Sequence, residues 1–201
     1  MNLSNIQIFM DNTSTLKETS LDNNGNTPVG YMTESIKQVI DFDKVKNLYT
    51  SQYHLSCTPN SVDALYNNRD GRLVFAEFKN GTMSPKKRSQ VLKKAYDSVL
   101  IFNDISLLQI NDLRKSAEFI LVYNESKNLN IDDNELIAKI ENQRQQTPAY
   151  DSIAKLVSKY ANKEYICFGL QQLKGYCFAD VHTYTESEYD EYIKKNDVMV
   201  I

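Results

Sequence analysis

CTPNSVDALYNNRDGRLVFAEFKNG, residues 57–81, is the stretch of this chain that predicts most about its fold. Two apolar runs, Val62–Tyr66 and Leu73–Phe78, flank a turn-rich segment, which is the pattern of a β-hairpin. The connecting Asn68–Gly71 segment suits a type I turn, with asparagine first and glycine fourth. A three-residue loop that ends in a glycine bulge is a common hairpin connection, so we expect one here.

The length of that loop decides where three charged residues of the hairpin lie. With a three-residue loop, Asp63 is directly opposite Glu77, and Lys79 points to the same face because side chains alternate along a strand. Directly opposed Cβ atoms are about 4.5–5.5 Å apart, so two carboxylates placed there repel unless a cation or a shared proton separates them. A four-residue loop would put Asp63 on the other face of the sheet.

Apolar residues on both faces of the second strand predict that its charged residues are buried. Leu73 and Phe75 share the face of Glu77, while the alternate positions Val74, Ala76 and Phe78 form the other face. Ionised groups are costly to bury unless they are paired or bind a metal ion. A Mg²⁺ ion, with metal–oxygen distances of about 2.1 Å, fits between two such carboxylates. The pattern therefore predicts a Mg²⁺ or Mn²⁺ site at Asp63 and Glu77; the alternative is a purely structural ion pair among these acids and Lys79.

A basic segment follows the hairpin. Ser84 and Pro85 predict the start of a helix that continues to about Phe102, with serine as the N-cap and proline at the first helical position. Its helical spacing puts five polar residues on one face: Lys86, Lys87, Gln90, Lys93 and Lys94. Lysines there would hold nucleic-acid phosphates by charge without reading base sequence, and the alternative is an ordinary solvated helix face.

The first half of the chain also predicts other elements. A short strand is expected at Ile6–Met10, followed by a loosely held polar arm over residues 11–30. Thr33 is the predicted N-cap of a helix that continues to about Tyr49. The continuous apolar run Ala117–Tyr123 is typical of a buried strand.

The C-terminal part predicts two helices between residues 133 and 162, and then strands at Glu164–Leu170 and Gly175–Tyr184. Thr185 and Glu188 fit a capping box for a last helix that ends near Lys195. The element order indicates a mixed α/β fold. The expected organisation is an N-terminal strand and polar arm over residues 1–32 and a single domain over residues 33–201.

Composition and charge narrow the function classes. A chain of 201 residues, 41% hydrophobic and 24% charged, is ordinary for one globular domain. The sequence contains no apolar run of membrane-spanning length and no signal-like N-terminus, so we expect a cytoplasmic protein without a membrane partner. Three cysteines without CxxC spacing favour neither a disulfide framework nor a zinc site. A net charge of −3 argues against bulk electrostatic coating of nucleic acid, but it permits a local basic surface.

Asp63, followed after thirteen residues by Glu77-Phe78-Lys79 on a hairpin between two predicted helices, resembles the PD-(D/E)xK (restriction-endonuclease-like) nuclease superfamily. The resemblance covers about residues 33–123. It implies a central mixed sheet flanked by helices, in helix-strand-strand-strand-helix-strand order, here with added C-terminal helices and strands. One departure is that Val62, and not a proline, directly precedes Asp63.

The resemblance also implies roles for individual residues. Asp63 and Glu77 would bind the metal ion, and Lys79 would position the attacking water and stabilise charge on the phosphate. Glu34 would be the additional acid that some members carry on the preceding helix, and Gln90 the polar residue on the following one.

The activity implied by the resemblance is Mg²⁺-dependent hydrolysis of phosphodiester bonds in DNA, with RNA as the less favoured substrate. Because cutting a duplex needs two sites, nucleases of this kind often work as homodimers, although the sequence identifies no interface. The alternative function is a catalytically inactive relative that uses the same fold to bind a nucleic acid or a protein.

Overall fold

The computed structural model describes residues 3–22, 30–128, 151–155, 158 and 164–196. The strands are β1 Thr13–Thr15, β2 Leu21–Asp22, β3 Gly30–Tyr31, β4 Gln38–Asp41, β5 Ala64–Asn67, β6 Leu73–Lys79, β7 Ala117–Tyr123 and β8 Asp180–Thr185. The helices are α1 Gln7–Met10, α2 Leu16–Thr19, α3 Phe42–Gln52, α4 Pro85–Ser106, α5 Ile110–Ser116, α6 Glu125–Asn128 and α7 Glu186–Asn196. Short 3-10 helices cover Leu3–Asn5 and Leu170–Leu173, and residues 151–155 are also helical.

Six strands form one mixed sheet in the order β1-β4-β5-β6-β7-β8, and β2 pairs with β3 separately. Neighbouring strands are antiparallel from β1 to β6, whereas β6, β7 and β8 are parallel. Helices flank this sheet, so the predicted mixed α/β class is confirmed. In the part of the chain that the structure describes, no helix is both long and apolar enough to cross a membrane.

The β5–β6 hairpin has the predicted register. Ala64 pairs with Ala76 and Asn67 with Leu73, so the same register continued by one residue sets Asp63 opposite Glu77. The backbone N–H of Gly71 donates to the Asn68 carbonyl at 2.9 Å, which closes the turn. Gly71 has a φ of 74°, the left-handed conformation that a glycine bulge requires. The expected three-residue loop is therefore confirmed.

Helix α4 connects β6 to its parallel neighbour β7. The predicted cap is confirmed, since Ser84 accepts a hydrogen bond from the backbone N–H of Lys87 and Pro85 is the first helical residue. The helix runs past the predicted end at Phe102 to Ser106. Strand β7 has the predicted bounds, and all seven of its residues are buried.

The N-terminal segment differs from the prediction. Residues Gln7–Met10 form helix α1 and not a strand. The segment predicted to be a loosely held arm contains β1 and α2, and β1 pairs with β4 at the edge of the sheet. Phe9 is fully buried and stacks on Phe102 of α4, with ring centroids 5.6 Å apart. The partner ring lies far along the chain, so the sequence of this segment does not reveal the packing.

The helix predicted from Thr33 to about Tyr49 is wrong in its first half. Val39 and Ile40 lie in β4 between two other strands, and the helix begins only at Phe42. Asp41 is its N-cap and accepts a hydrogen bond from the backbone N–H of Lys44. Two adjacent β-branched residues suit a strand, and pairing with β1 and β5 decides in its favour.

The C-terminal predictions have mixed outcomes. The two helices expected between residues 133 and 162 lie mostly outside the described residues. Residues 164–167 are not a strand, and the second strand begins at Asp180 and not at Gly175, which has a φ of 73°. The capping box is confirmed: the N–H of Thr185 donates to Glu188 Oε2 at 2.8 Å, and the N–H of Glu188 donates to Thr185 Oγ1 at 3.3 Å.

The order of elements can be compared with the restriction-endonuclease-like core that the resemblance implies. The helix before the hairpin, α3, lies between β4 and β5 and does not precede a run of three strands. The structure therefore supports a mixed sheet flanked by helices, and it does not confirm a restriction-endonuclease-like core.

Candidate active site

Four charged side chains meet at one end of the hairpin. Asp63 directly precedes β5, Glu77 and Lys79 are on β6, and Lys94 is on α4. The Nζ atom of Lys94 lies 3.0 Å from Asp63 Oδ1 and 2.8 Å from Glu77 Oε1. Lys79 Nζ lies 2.5 Å from the same Glu77 oxygen. Two carboxyl groups therefore face two ammonium groups.

These groups lie below the protein surface. The side chain of Glu77 is 0% exposed and that of Asp63 is 15% exposed. Those of Lys79 and Lys94 are each 21% exposed. Burying an ion is unfavourable unless an opposite charge compensates for the lost hydration. The two lysines provide that compensation, which explains how the acids are accommodated in otherwise apolar strands.

Asp63 is held by the backbone as well as by Lys94. The N–H of Phe78 donates to Asp63 Oδ2 at 2.7 Å. Burial and the charge of Glu77 raise the pKa of Asp63 to about 7, against the opposing effect of the two lysines and the Phe78 N–H. Burial would lower the pKa of Lys94, but the charges of Glu77 and Asp63 raise it above its ordinary value. Lys94 is therefore an ammonium ion at neutral pH.

One oxygen of the cluster has unused hydrogen-bonding capacity. Glu77 Oε1 is buried and accepts no well-directed hydrogen bond from the described groups, although Lys79 and Lys94 are close enough for charge pairing. An ionised carboxylate has about four lone-pair sites for donors or a cation. Two ammonium groups thus already lie against this oxygen, and a cation bound here would share it with them.

The two acids fit a divalent cation under one condition. Mg²⁺ is commonly bound through one or two carboxylates, together with waters and substrate phosphates, and Asp63 and Glu77 offer that donor set. Within the described ranges, no group of three or more histidine, cysteine, aspartate or glutamate side chains is arranged to hold a metal ion. Because Lys94 Nζ lies within 3.0 Å of both carboxylates, an ion between them requires Lys94 to move.

Lys94 was predicted to lie on the outer, nucleic-acid-binding face of its helix, and the structure turns it toward the acids instead. The register of the helix in the structure accounts for this position. Lys94 is three residues after Val91 and four before Ser98, and both of these are buried. That spacing places Lys94 at the edge of the helix face that packs on the sheet.

The other residues of the predicted basic face remain at the surface. The exposed members are Lys86, Lys87, Gln90 and Lys93. Of these, Lys87 lines a cavity that also has Asp63 and Lys79 in its wall. Lys87 therefore shares this cavity with one of the two acids, Asp63.

Glu34 is not where the resemblance would place it. It lies in a segment without regular secondary structure, and its side chain is 76% exposed. Its Oε2 atom is 2.6 Å from Lys17 Nζ, and it lines a different cavity together with Asp190 and Lys194. The structure therefore does not bring Glu34 to Asp63 and Glu77.

Asp43 is an acid that the sequence analysis missed. It lies on α3, the helix directly before the hairpin, and its Oδ1 accepts hydrogen bonds from Ser61 Oγ at 2.5 Å and from Lys46 Nζ at 2.8 Å. Burial would raise the pKa of Asp43, but these hydrogen bonds and the positive charges of Lys46 and Lys94 lower it. Asp43 is thus an ionised neighbour of the cluster, and the fold, rather than any local sequence pattern, brings it near Lys94.

The cavity beside the cluster has a volume of about 250 Å³. Residues 19–21 and Met32 form one wall, and residues 80–83 with Lys87 form the other. Asp63, Phe78 and Lys79 are also in contact with it. Of the two acids, Asp63 is thus the one that a molecule in this cavity would meet.

Comparison with known proteins gives no match: no family model fits the chain, and neither a curated protein nor a solved structure is similar to it. The resemblance to PD-(D/E)xK nucleases therefore remains a prediction, carried by the residues of the hairpin.

Proposed function

We propose that this protein is a divalent-metal-dependent nuclease that hydrolyses phosphodiester bonds in DNA, with RNA as the less favoured substrate. The observation that carries the proposal is the hairpin face on which Asp63, Glu77 and Lys79 converge. Two of these residues, Asp63 and Lys79, also open into a cavity lined by Lys87. An acid pair, a lysine and an adjacent recess are the components that metal-assisted phosphodiester hydrolysis needs.

Each residue has a distinct role in this proposal. Asp63 and Glu77 would hold Mg²⁺ or Mn²⁺, which when bound supplies a coordinated water of lowered pKa and screens the phosphate charge. Lys79 would orient the attacking water and stabilise negative charge on the phosphate, because its ammonium group is next to both Glu77 and the cavity. Lys87 would attract the incoming phosphate by charge.

A second candidate function is a catalytically inactive protein that binds a nucleic acid or a protein through the same fold. One observation favours it: the Lys94 ammonium group pairs with both carboxylates and so compensates their charge. In that case the four charged side chains would form a structural ion-pair cluster, and the exposed lysines of α4 would contact the partner.

The test is a cleavage assay with labelled DNA and RNA in Mg²⁺, Mn²⁺ and EDTA, on wild type and on Asp63→Asn, Glu77→Gln and Lys79→Met. We expect divalent-dependent cleavage that falls by about 100-fold or more in each variant. The controls are Glu34→Gln and Lys115→Met, since Glu34 pairs with Lys17 away from the cluster and Lys115 is exposed on α5. Circular dichroism verifies that each variant is folded.

Two outcomes would overturn the nuclease proposal. One is cleavage that persists in folded Asp63→Asn protein, which would place the activity elsewhere. The other is the lack of cleavage by wild type with every metal and substrate, which would favour the binding protein.

A further inference from the structure

We propose that this protein has a separate binding site for a small aromatic molecule that carries an anionic group and a ring N–H. The site is a cleft between α4, α5 and the turn over residues 172–177, called the α4–α5 cleft below. Among the described residues, it shares no lining residue with the cavity beside Asp63. The cleft is therefore independent of the proposed nuclease function.

Helical spacing aligns the residues of two walls of the α4–α5 cleft. Tyr96, Val99 and Asn103 recur at intervals of three and four residues, so they share one face of α4. Ile110 and Arg114 are four residues apart and share one face of α5 in the same way. Each wall thus comes from a different element, which makes the surface concave.

The third wall is a turn that backbone hydrogen bonds hold in place. The N–H of Gly175 donates to the Phe178 carbonyl at 2.8 Å, and the N–H of Cys177 donates to the Leu173 carbonyl at 3.0 Å. Gly175 has a φ of 73°, which lets the chain reverse here. Tyr176 lies between these bonds, and its side chain is 60% exposed. The turn therefore presents an aromatic ring on an ordered backbone.

The walls of the α4–α5 cleft are mainly apolar and aromatic. Val99 and Cys177 are buried, whereas Leu100 is 68% exposed. Exposed apolar side chains around a recess mark a binding surface. The rings of Tyr96 and Tyr176 meet edge to face, with centroids 6.0 Å apart. A further ring gains favourable contacts beside such a pair, so the walls favour an aromatic ligand.

The charge of the α4–α5 cleft favours an anion. Arg114 Nε donates to the Tyr176 carbonyl at 2.8 Å, and Arg114 forms no ion pair with a described acid. Among the described residues that line the cleft, none is acidic, and burial raises the pKa of the Cys177 thiol, so it adds no negative charge. The two Nη groups of Arg114 therefore remain for a carboxylate or phosphate, which a guanidinium binds through two parallel hydrogen bonds.

Asn103 adds a polar group to the apolar wall of α4. Its Oδ1 atom is buried and accepts no hydrogen bond from the described groups. An unpaired buried acceptor is unfavourable. Because the Cβ–Cγ torsion of asparagine has a broad minimum, the amide can turn Oδ1 toward the cleft. A ring N–H of the ligand would then donate to it, which completes the predicted set of contacts: aromatic stacking, an acid at Arg114 and a donor at Asn103.

The test is an amide NMR titration of the whole chain with indoleacetate, which carries all three features. Indoleacetamide lacks the charge and cyclohexylacetate lacks the aromatic ring. We expect indoleacetate to bind with a Kd of about 1 mM or lower, the value for a molecule of this size at ordinary ligand efficiency. Its shifts should be confined to residues 96–114 and 172–177. Each analogue should bind at least about 5-fold more weakly.

Two variants separate the contributions of charge and ring. Arg114→Met should weaken indoleacetate binding by about 5-fold and change indoleacetamide binding by less than about 2-fold. Lys115→Met is its control, since Lys115 is the next residue of α5, is exposed and does not line the cleft. Tyr176→Ala should weaken the binding of both indole compounds, and Tyr53→Ala, at an exposed tyrosine elsewhere, should not. Arg114 and Tyr176 are exposed, so both variants should fold.

Three results would overturn the proposal. The first is equal affinity for indoleacetate and indoleacetamide, or an Arg114→Met protein that binds like its control. The second is the lack of shifts in the cleft at millimolar indoleacetate. The third is a dimer in sedimentation velocity that Leu100→Glu dissociates, which would assign the cleft to a second copy of the chain. The cleavage test of Asp63 and Glu77 is separate, so none of these results decides the nuclease function.

Discussion

Lys94 is the residue whose surroundings matter most for the proposed chemistry. Its ammonium group lies within 3.0 Å of both Asp63 and Glu77, in the space that a divalent cation would need. A lysine in this position lowers the repulsion between the carboxylates when no metal ion is bound. It also competes with a metal ion for the same oxygens.

Lys94→Met tests that competition. Removing the ammonium group leaves two neighbouring acids with Lys79 alone, so we expect the free energy of unfolding to fall by about 3 kcal/mol. Millimolar Mn²⁺ should then raise the melting temperature of Lys94→Met more than that of wild type, since the cation can occupy the vacated position. Lys93→Met, an exposed neighbour, is the control. A Mn²⁺ effect that is equal in all three proteins would contradict this account.

His182 provides a pH-dependent contribution to stability that is separate from the acid cluster. Its Nδ1 atom is 2.7 Å from Glu164 Oε1. Burial would lower the pKa of His182, but the hydrogen bond and charge of Glu164 raise it above the ordinary value of 6.5. The folded protein therefore holds the imidazole proton more tightly than the unfolded chain does.

This difference in pKa sets the sign of the pH effect. The stabilisation is complete below the unfolded pKa near 6.5 and is lost as the pH rises through the higher folded value. We expect the free energy of unfolding to decrease with increasing pH above about 6.5, by at most about 1.4 kcal/mol per pH unit. Urea unfolding at several pH values measures this slope. Glu164→Gln should reduce this slope. Glu18→Gln, a change at an exposed residue of α2, is the control and should not. A slope unchanged by Glu164→Gln would refute the assignment.

At the scale of elements, the β5–β6 hairpin has the largest consequence, because its register brings the acids together. Asn68 Oδ1 accepts hydrogen bonds from the N–H groups of Asp70 and Arg72, which supports the turn. Gly71 completes it with a φ of 74°. All of these groups are close in sequence, so the turn and its register depend on local chemistry.

Gly71→Ala should destabilise the protein by about 1 kcal/mol, since a Cβ atom disfavours the left-handed conformation. Gly81→Ala is the matched control: an added Cβ at Gly81 meets no atom within 4 Å, and its φ is outside the left-handed region. Urea unfolding compares the two variants. An equal loss of stability in both would show that backbone conformation at Gly71 is not the cause.

At the scale of the whole molecule, the N-terminal segment is part of the core. Leu3, Phe9 and Leu16 are fully buried, and the Phe9 ring stacks on Phe102 of α4. Strand β1 adds an edge to the six-stranded sheet. The segment also supplies residues 19–21 to the cavity wall, so it contributes to the site as well as to stability.

Phe9→Ala should lower the free energy of unfolding by about 3–4 kcal/mol, because it leaves a cavity in the aromatic core. Ile36→Ala in the same part of the chain should change it by less than about 0.5 kcal/mol, since Ile36 is 78% exposed. Thermal or urea unfolding measures both values. A Phe9→Ala protein as stable as the control would mean that the N-terminal segment is not packed as described.

The sequence by itself determined the features that depend on near neighbours. The turn at Asn68–Gly71 and the register it sets follow from local backbone preferences. The Ser84 cap of α4, the apolar strand β7 and the Thr185 capping box follow from the same short-range chemistry and from periodicity.

Only the tertiary structure decided the features that depend on distant partners. Val39 and Ile40 fit a helix or a strand by spacing, and pairing with β1 and β5 made them a strand. Lys94 fits a solvated helix face by sequence, but the fold brings it within 3.0 Å of Asp63 and Glu77. Glu34 was expected to join Asp63 and Glu77, but the fold places it beside Lys17. The physical reason is that a salt bridge or a strand pairing forms only with a partner that the fold brings within a few ångströms. The separation of two residues along the sequence does not give that distance.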